Sequence, residues 1–119
     1  MSTVKPQDAD FFAALDILLL QGRLVIDRPA GSSHPRFPSL VYPYDYGYIE
    51  GTVASDGGGI DVWRGTLPDD RITALIWTVD LVKKDLELKL LVGCTVSEID
   101  EIYSFHNSTD NMKGLLILR

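Results

Sequence analysis

The sequence predicts an α+β fold that is mainly β, built as a small barrel or rolled sheet with a helix towards each end. Two observations lead to this prediction. Short β-like segments separated by Gly- or Asp-rich turns fill the middle of the chain, and one segment with helical spacing lies on either side of them. The 119 residues suit one domain, residues 1–119, with a single modest core.

Two helices are predicted. The first runs from Asp8 to Gln21, capped by its first residue and ended by Gly22. Its apolar residues recur at helical spacing: Phe11, Phe12, Leu15, Leu18 and Leu19. The second helix begins with a capping box formed by Thr95 and Glu98 and continues to about Phe105.

Six segments are predicted to be strands. They cover residues 23–28, 48–54, 60–65, 72–79, 85–90 and 112–118. Between the first two lies an irregular stretch, residues 29–46, which holds four prolines. A stretch of this length is usually functional or mobile. Its tyrosines, Tyr42, Tyr44 and Tyr46, argue against disorder because they need a surface to pack on.

Composition excludes several classes of function. The net charge is -6 and no Lys/Arg-rich run is present, so we expect neither nucleic-acid nor membrane binding. Cys94 is the only cysteine, which fits a reducing cytoplasm. The segment Met1–Asp10 lacks the pattern of a signal peptide, and the longest apolar run, residues 17–20, is too short to span a bilayer. A soluble, cytoplasmic protein is therefore expected.

The first candidate site lies between Tyr46 and Asp61. Asp56 and Asp61 flank the glycines at 57–59, which let the backbone turn tightly and a ligand approach closely. Carboxylate oxygens suit Mg²⁺ or Mn²⁺ shared with substrate phosphates, and a tyrosine hydroxyl nearby could orient a metal-bound water. The same pattern is also typical of a plain hairpin turn with tyrosines in the core.

A second cluster of charged residues lies on or beside one strand: Asp80, Asp85, Glu87 and Lys89. Glu87 and Lys89 share a face. If that face lines a cleft, the acids would hold metals and Lys89 would meet phosphate oxygens. The alternative is the solvated outer face of an antiparallel strand.

The two histidines also allow two interpretations each. His34 and Arg36 lie in a Ser-Ser-His-Pro-Arg run whose donors suit an anion, or which is held together by its own hydrogen bonds. His106 is either a substrate contact or a cation favoured by the C-terminal end of a helix.

A family resemblance joins these segments. The run Tyr42-Pro43-Tyr44-Asp45-Tyr46-Gly47-Tyr48-Ile49, then Gly51-Thr52, then Asp56-Gly57-Gly58-Gly59-Ile60-Asp61-Val62, resembles the signature of the soluble (family I) inorganic pyrophosphatases. That family has Tyr-Pro-x-Asn-Tyr-Gly, then Asp-Gly-Asp-Pro-hydrophobic-Asp, and later an acid before an Asp-x-Lys. Glu87-Leu88-Lys89 resembles the last motif. The resemblance covers roughly residues 24–118. It implies a five-stranded OB-like barrel with flanking helices, Mg²⁺ dependence, pyrophosphate hydrolysis in the cytoplasm and a homo-oligomer.

Site residues are carried over by position. As metal ligands the resemblance implies Asp56, Asp61 and Glu87, with Asp80 or Asp85 as the preceding acid. As catalytic residues it implies Tyr46, Asp56, Asp61 and Lys89. Arg36 or His34 takes the place of a family arginine, and Lys89 contacts phosphate. Asp27, before Pro29, resembles a family glutamate that also precedes a proline.

The chain departs from the family pattern at several positions. Gly58 replaces the middle acid of Asp-Gly-Asp-Pro, which in the family helps to hold the attacking water. Asp45, Asp80 or Asp85 could supply a compensating acid. His106-Asn107 stands where the family has Tyr-Lys, and Lys113 is the candidate replacement charge.

The leading hypothesis is a Mg²⁺-dependent phosphoanhydride hydrolase acting on inorganic diphosphate, with a nucleotide or sugar diphosphate as a possible other substrate. A second hypothesis is a degenerate domain that binds a phosphorylated ligand without turnover. A third is a structural barrel that serves oligomer assembly, for which Trp63 and Trp77 would be exposed.

Overall fold

A computed structural model describes residues 7–119, in which two helices pack against one six-stranded sheet. The helices are α1 (Asp8–Gln21) and α2 (Val96–Asn107). The strands are β1 (Arg23–Arg28), β2 (Asp45–Glu50), β3 (Ile60–Arg64), β4 (Ile72–Asp80), β5 (Asp85–Val92) and β6 (Lys113–Leu118). The sequence analysis expects no signal peptide in Met1–Asp10. Residues 1–6 of that segment lie outside the described residues.

The strand order is β1-β2-β3-β5-β4-β6. Neighbouring strands are antiparallel except β3 and β5, which run parallel. The mainly β, α+β class is confirmed, but the sheet has six strands rather than five and is not closed into a barrel. After α2 the chain returns to pair with β4, so β6 becomes an edge instead of joining β1. Within residues 7–119, no helix has the length and apolar character needed to cross a membrane.

Two cores form because successive residues of a strand point to opposite faces of the sheet. On β3, Val62 faces the side covered by α1 and Trp63 faces the other side, where α2 lies. Both side chains are fully buried. Each such residue stabilises the fold by roughly 1.5–3 kcal/mol relative to an exposed one. The candidate site lies on the α2 side.

The predicted helices agree with the structure in their extent and differ in one cap. The capping box of α2 is confirmed: the Thr95 hydroxyl accepts a hydrogen bond from the Glu98 N–H, and the Glu98 carboxylate accepts one from the Thr95 N–H. Asp8 as the cap of α1 is wrong, because Gln7 holds that position and makes no capping hydrogen bond through its side chain.

The second strand lies earlier in the chain than predicted. β2 begins at Asp45 and ends at Glu50, because Gly51 adopts a φ of 91° and turns the chain. The Thr52 hydroxyl fixes this turn by donating to the Ile49 carbonyl oxygen and accepting from the Ile60 N–H. The tyrosines of the signature run therefore lie on or next to β2.

The irregular stretch after β1 is held in place by backbone hydrogen bonds. Ser33 and Val41 form an isolated antiparallel bridge, and the His34 N–H donates to the Leu40 carbonyl oxygen. Tyr42, at the end of this stretch, is almost fully buried and contacts Trp63 and other rings. The prediction that the tyrosines pack on a surface is confirmed. This segment positions one wall of the site.

We predict that Gly47→Ala destabilises the protein by about 3 kcal/mol or more. A Cβ at Gly47 would overlap the backbone of Val25 and Ile26 on β1, and neither strand can move aside without losing its pairing. Urea unfolding measures the change. Gly58→Ala is the control, since its Cβ would meet only the Asp56 carboxylate, at 3.5 Å. Equal stability of the two variants would contradict this account of the β1–β2 pairing.

Candidate functional site

A cleft of about 220 Å³ opens on the α2 side of the sheet. It is bounded by β1, β2, the starts of β3 and β5, the end of β4, and the irregular stretch. Its polar and charged lining residues are Asp27, Arg28, His34, Arg36, Tyr42, Tyr46, Tyr48, Asp56, Asp61, Thr78, Asp80, Lys83, Glu87, Lys89 and His106. Two separate β segments, one before and one after the Gly-rich turn, thus contribute to one cavity together with β5.

Lys89 is the centre of the site. Its ammonium donates to the Tyr46 hydroxyl oxygen at 2.7 Å, to Glu87 Oε2 at 3.0 Å and to Asp61 Oδ2 at 3.1 Å. The side chain is 9% exposed. Burial lowers the pKa of Lys89, but the hydroxyl and the two carboxylates around the ammonium outweigh burial and raise that pKa above its ordinary value. Lys89 is therefore charged at any physiological pH.

The arrangement around Lys89 follows from strand pairing. Asp61 on β3 lies directly opposite Lys89 on the parallel strand β5, and Glu87 precedes Lys89 by two residues on the same face. Burial raises the pKa of Glu87, and the neighbouring Asp61 carboxylate raises it further, whereas Lys89 opposes both effects. The Glu87 carboxyl therefore titrates nearer to neutrality than an exposed glutamate. Asp61, Glu87 and Lys89 thus share a small volume from which water is partly excluded.

Tyr46 closes the inner side of this group. Burial raises the pKa of its hydroxyl well above the ordinary value, so the group stays protonated and serves as both donor and acceptor. Its ring packs edge-on against Trp63, with centroids 4.9 Å apart, which fixes the hydroxyl in position.

The opposite wall holds a second ion pair, between the Arg36 guanidinium and the Asp80 carboxylate. Asp80 also accepts from the backbone N–H groups of Val82 and Lys83, and these bonds and Arg36 outweigh burial to lower the pKa of Asp80. Asp80 therefore lies in the cleft, but its partner is Arg36 rather than the Lys89 group.

His34 lies between this wall and the aromatic floor of the cleft, which is formed by Tyr42 and Tyr46. Its ring stacks on Tyr42 with an interplanar angle of 5°, and its Nδ1 accepts hydrogen bonds from the backbone N–H groups of Arg36 and Phe37. Burial lowers the pKa of His34, and the nearby charges of Arg28 and Arg36 lower it further. A neutral His34 that accepts at Nδ1 carries its proton on Nε2.

His106, at the end of α2, is 3% exposed. Its Nε2 accepts a hydrogen bond of 3.0 Å from the Trp63 indole N–H, so the neutral ring carries its proton on Nδ1. Burial, followed by the positive charge of Lys89, lowers the pKa of His106 to about 3, and the Met112 backbone opposes this shift. Within the described residues Nδ1 makes no hydrogen bond. The cationic interpretation of His106 is wrong, because the ring is buried beside another positive charge.

Arg28 lines the cleft and was missed by the sequence analysis. Its guanidinium donates to the Tyr42 hydroxyl at 2.7 Å and lies over the Tyr42 and Tyr46 rings. A β-bulge between Ile26 and Arg28 lets the consecutive residues Asp27 and Arg28 both line the cleft. Regular alternation would have placed them on opposite faces. The one signal in the sequence was that Arg28 lies between Asp27 and Pro29.

Two predicted site residues lie elsewhere. Neither Asp85 nor Lys113, both within the described residues, lines the cleft. Lys113 instead donates to the Asn107 carbonyl oxygen and pairs with Asp110. Asp45 accepts from the Ala30 N–H, away from the cleft lining. Across residues 7–119, no three His, Cys, Asp or Glu side chains come close enough together to hold a metal ion by themselves.

Solved structures of inorganic pyrophosphatases share this architecture. The enzyme from Neisseria gonorrhoeae aligns with 76% of this chain and 77% of its own, at a TM-score of 0.57 and 20% identity. The Thermus thermophilus enzyme aligns with 81% of each chain, at 0.53 and 22%. The Helicobacter pylori enzyme aligns with 81% of this chain and 80% of its own, at 0.50 and 15%. The fold is that of the inorganic pyrophosphatases.

At sequence identities this low, the similarity to the pyrophosphatases shows that the fold is shared and nothing more. No protein-family model and no curated protein matches the sequence. The chemistry of this pyrophosphatase-like domain therefore has to be argued from its own cleft.

We predict that Lys89→Met destabilises the protein by about 3 kcal/mol, because the two carboxylates would lose the buried charge that neutralises them. Chemical unfolding at neutral pH measures the loss. Lys113→Met is the matched control: this lysine is half exposed and its loss is expected to cost under about 1 kcal/mol. Similar losses for both variants would show that the Lys89 group does not stabilise the cleft.

We also predict that His106→Gln reduces the sensitivity of the fold to acid. The unfolded chain protonates this histidine near 6.5, but the folded protein does so only near 3, so between these values the unfolded state binds more protons. Stability therefore falls as the pH drops through this window, by about 1.4 kcal/mol per pH unit from this group. Glutamine still offers an acceptor to Trp63.

Thermal or urea unfolding of both proteins at about pH 6 and about pH 4 checks this. The wild type should lose about 2 kcal/mol more than the variant over that interval. A stability difference between them that does not change with pH would contradict the assignment.

Proposed function

We propose that this protein is a Mg²⁺-dependent phosphoanhydride hydrolase and that its substrate is inorganic diphosphate. The observation that supports it is the convergence of Tyr46, Asp61, Glu87 and Lys89 from three strands in the cleft of a pyrophosphatase-like fold. A turn residue, Asp56, lines the same cleft. The carboxylates of the cleft would repel a polyanion. Such a ligand therefore binds best when metal cations lie between it and the acids.

The donors present fit a metal shared with the substrate, rather than a cage made by the protein alone. Asp61 and Glu87 approach the same ammonium, and Asp56 lines the cavity beside them. Mg²⁺ is commonly held by one or two carboxylates, waters and substrate phosphates. When bound, the ion would neutralise phosphate charge and activate water. Mn²⁺ has similar ligand preferences.

The other charged and polar residues of the cleft would bind the phosphate groups. Arg28, Arg36 and Lys89 bring positive charge to the phosphate oxygens, and the Nε2–H of His34 and the Nδ1–H of His106 are neutral donors for them. Within the described residues the Nδ1–H of His106 interacts only with the Met112 backbone, without a hydrogen bond of good geometry, and a phosphate oxygen would give it a stronger one.

Glu87 is the proposed general base. Its raised pKa brings the carboxylate closer to the pH at which a base is most effective. Water attacks one phosphorus, a new P–O bond forms, the bridging P–O bond breaks, and the leaving oxygen departs with the second phosphate. The water proton passes to a Glu87 oxygen and then to solvent. Lys89 holds this carboxylate and that of Asp61 in position, and the Tyr46 hydroxyl accepts the third hydrogen bond of the ammonium.

A second function is favoured by two observations. Lys89 already neutralises Asp61 and Glu87, and in the described part of the chain no third acid joins them closely enough to complete a metal site. Gly58 brings no side chain to the turn. A domain of this kind would bind a phosphorylated ligand and leave it intact.

The rest of the proposal comes from the sequence. The protein would work in the cytoplasm as a homo-oligomer of a single domain, residues 1–119. The lone thiol fits that compartment, since burial raises the pKa of Cys94 to about 12 and leaves it unreactive.

Phosphate release from inorganic diphosphate with Mg²⁺ or Mn²⁺ tests the activity, using Asp61→Asn against the matched control Asp85→Asn. The first variant should lower kcat/KM about a hundredfold or more, because it removes a charged ligand from the cleft. The second should leave the rate unchanged, because Asp85 does not line the cleft.

Equal rates for the two variants would remove the assigned site. If calorimetry detects diphosphate binding but no phosphate is released at any metal concentration, the binding domain is the correct function instead.

A further inference from the structure

Helix α1 exposes apolar side chains along its outer surface. Its exposed residues from position 11 to position 20 are all apolar: Phe11, Ala13, Ala14, Ile17 and Leu20. The one charged residue in this range, Asp16, is paired with Arg119 at 2.9 Å. On the inner side of the helix, Phe12 and Leu19 pack into the core. A helix that is apolar on all sides is normally buried, so a second packing surface is expected over α1.

Helix α2 shows the pattern of a helix that faces water. Most of its exposed residues are polar: Ser97, Asp100, Glu101 and Ser104, beside Val96 and Tyr103. The two helices cover opposite faces of one sheet, so the contrast between them concerns the two sides of the molecule. The α1 side therefore lacks the polar outer layer that the α2 side has.

The sheet face next to α1 is also apolar and largely uncovered. Trp77 lies directly opposite Leu88 on one neighbouring strand and Leu115 on the other, so these side chains form one surface. Antiparallel strands that face water on one side normally carry polar residues there. Lys113 and Arg119, at the ends of β6, are each paired with a carboxylate. On β4, β5 and β6 this face carries six apolar residues, of which all but the third of the following are exposed on the surface: Trp77, Val79, Leu88, Leu86, Leu115 and Ile117.

A cavity of about 240 Å³ lies between the helix and this sheet face. Leu15 of α1, Val53, Trp77 and Leu88 line it. Phe11 lies one turn before Leu15 and so borders the same flank of α1. The exposed apolar residues of α1, Val53 and the apolar sheet residues thus form one continuous surface, the apolar band.

The apolar band is large enough for a subunit interface. Its side chains expose on the order of 900 Å², whereas the largest apolar patch on a typical monomer measures roughly 300–600 Å². Each partner in a stable complex of standard size contributes about 800 Å². The band therefore matches the area that one subunit of a dimer buries.

Charge argues against a lipid surface as the cover of this band. Helices that lie on membranes carry Lys and Arg on their polar face. Helix α1 has no Lys or Arg from Asp8 to Gln21 and holds three aspartates, and the net charge of -6 opposes binding to anionic lipid. A second copy of the chain meets little repulsion, because Asp16, Lys113 and Arg119 are already paired.

We propose that two copies of this chain associate through the apolar band about a twofold axis, with α1 of each copy lying over the uncovered strands of the other. Each α1 is then buried between two sheets, and the same surface serves both copies. The cleft lies on the opposite face of the sheet, so both clefts stay open. The proposal goes beyond the proposed function and holds whether or not the cleft hydrolyses a phosphoanhydride.

Sedimentation equilibrium over a range of protein concentrations tests the proposal by giving the Kd of the dimer. Leu115→Glu changes the sheet part of the band and Ile17→Glu the helix part. These side chains are 65% and 56% exposed, so the monomer is expected to keep its fold. Val96→Glu is the matched control: Val96 is 79% exposed and lies outside the band, in the first turn of α2, where an acid is favourable.

The wild type should dimerise, and each band variant should raise the Kd about a hundredfold or more, because a carboxylate would be buried unpaired. Val96→Glu should leave the Kd unchanged. A second measurement needs no variant. The fluorescence of the wild type should shift to longer wavelength on dilution, since Trp77 is 37% exposed in the single chain whereas Trp63 is fully buried.

A wild type that stays monomeric at every concentration would overturn the proposal, as would association that either band variant leaves unchanged. Binding of the wild type to vesicles of phosphatidylcholine and phosphatidylserine, lost in both band variants, would show that the band covers a lipid surface instead. Phosphate release is assayed separately. A dimer without hydrolysis would reject the enzymatic function and leave this interface standing, and a monomer that hydrolyses diphosphate would do the reverse.

Discussion

The cleft depends on one buried ammonium. Lys89 bonds to two carboxylates and a tyrosine hydroxyl that come from three strands. Without that charge, Asp61 and Glu87 would repel each other in a partly dry volume, and the Tyr46 hydroxyl would lose its hydrogen-bond donor. Burial first, and then the same charge, lower the pKa of His106 and keep it neutral. Burial and one lysine together set the protonation states of the site.

The sheet topology places that lysine. Asp61 lies opposite Lys89 only because β3 and β5 are parallel neighbours, although β4 separates them in the sequence. β4 is instead placed beyond β5, where it carries Asp80 and Thr78 to the far wall of the cleft. The strand order therefore brings together acidic and basic residues that are far apart in the chain. The ring of Tyr46, which packs against Trp63, fixes the position of the hydroxyl beside them.

Local sequence patterns were sufficient for much of the fold. Helical spacing gave the extent of α1, and the Thr95–Glu98 box gave the start of α2, since both depend on residues a few positions apart. The convergence of Asp61, Glu87 and Lys89 was foreseeable through the family resemblance, because spacing alone cannot say which strands are neighbours. Asp85 and Lys113 were not separable from the true lining residues, since their placement depends on tertiary geometry. The open sheet likewise depends on where the last strand pairs, which no local signal specifies.

The irregularity in β1 has a consequence for the electrostatics of the cleft. Because one residue is inserted into the ladder, Asp27 and Arg28 bring opposite charges to the same face, where a regular strand would bring only one of them. Removing Asp27 would leave Arg28 opposite Tyr46 on the cleft face and would take away only the negative charge. The electrostatic potential that an approaching anion meets thus depends on one inserted residue, and a single-codon deletion would make the cleft more positive while every other residue of the site remained in place.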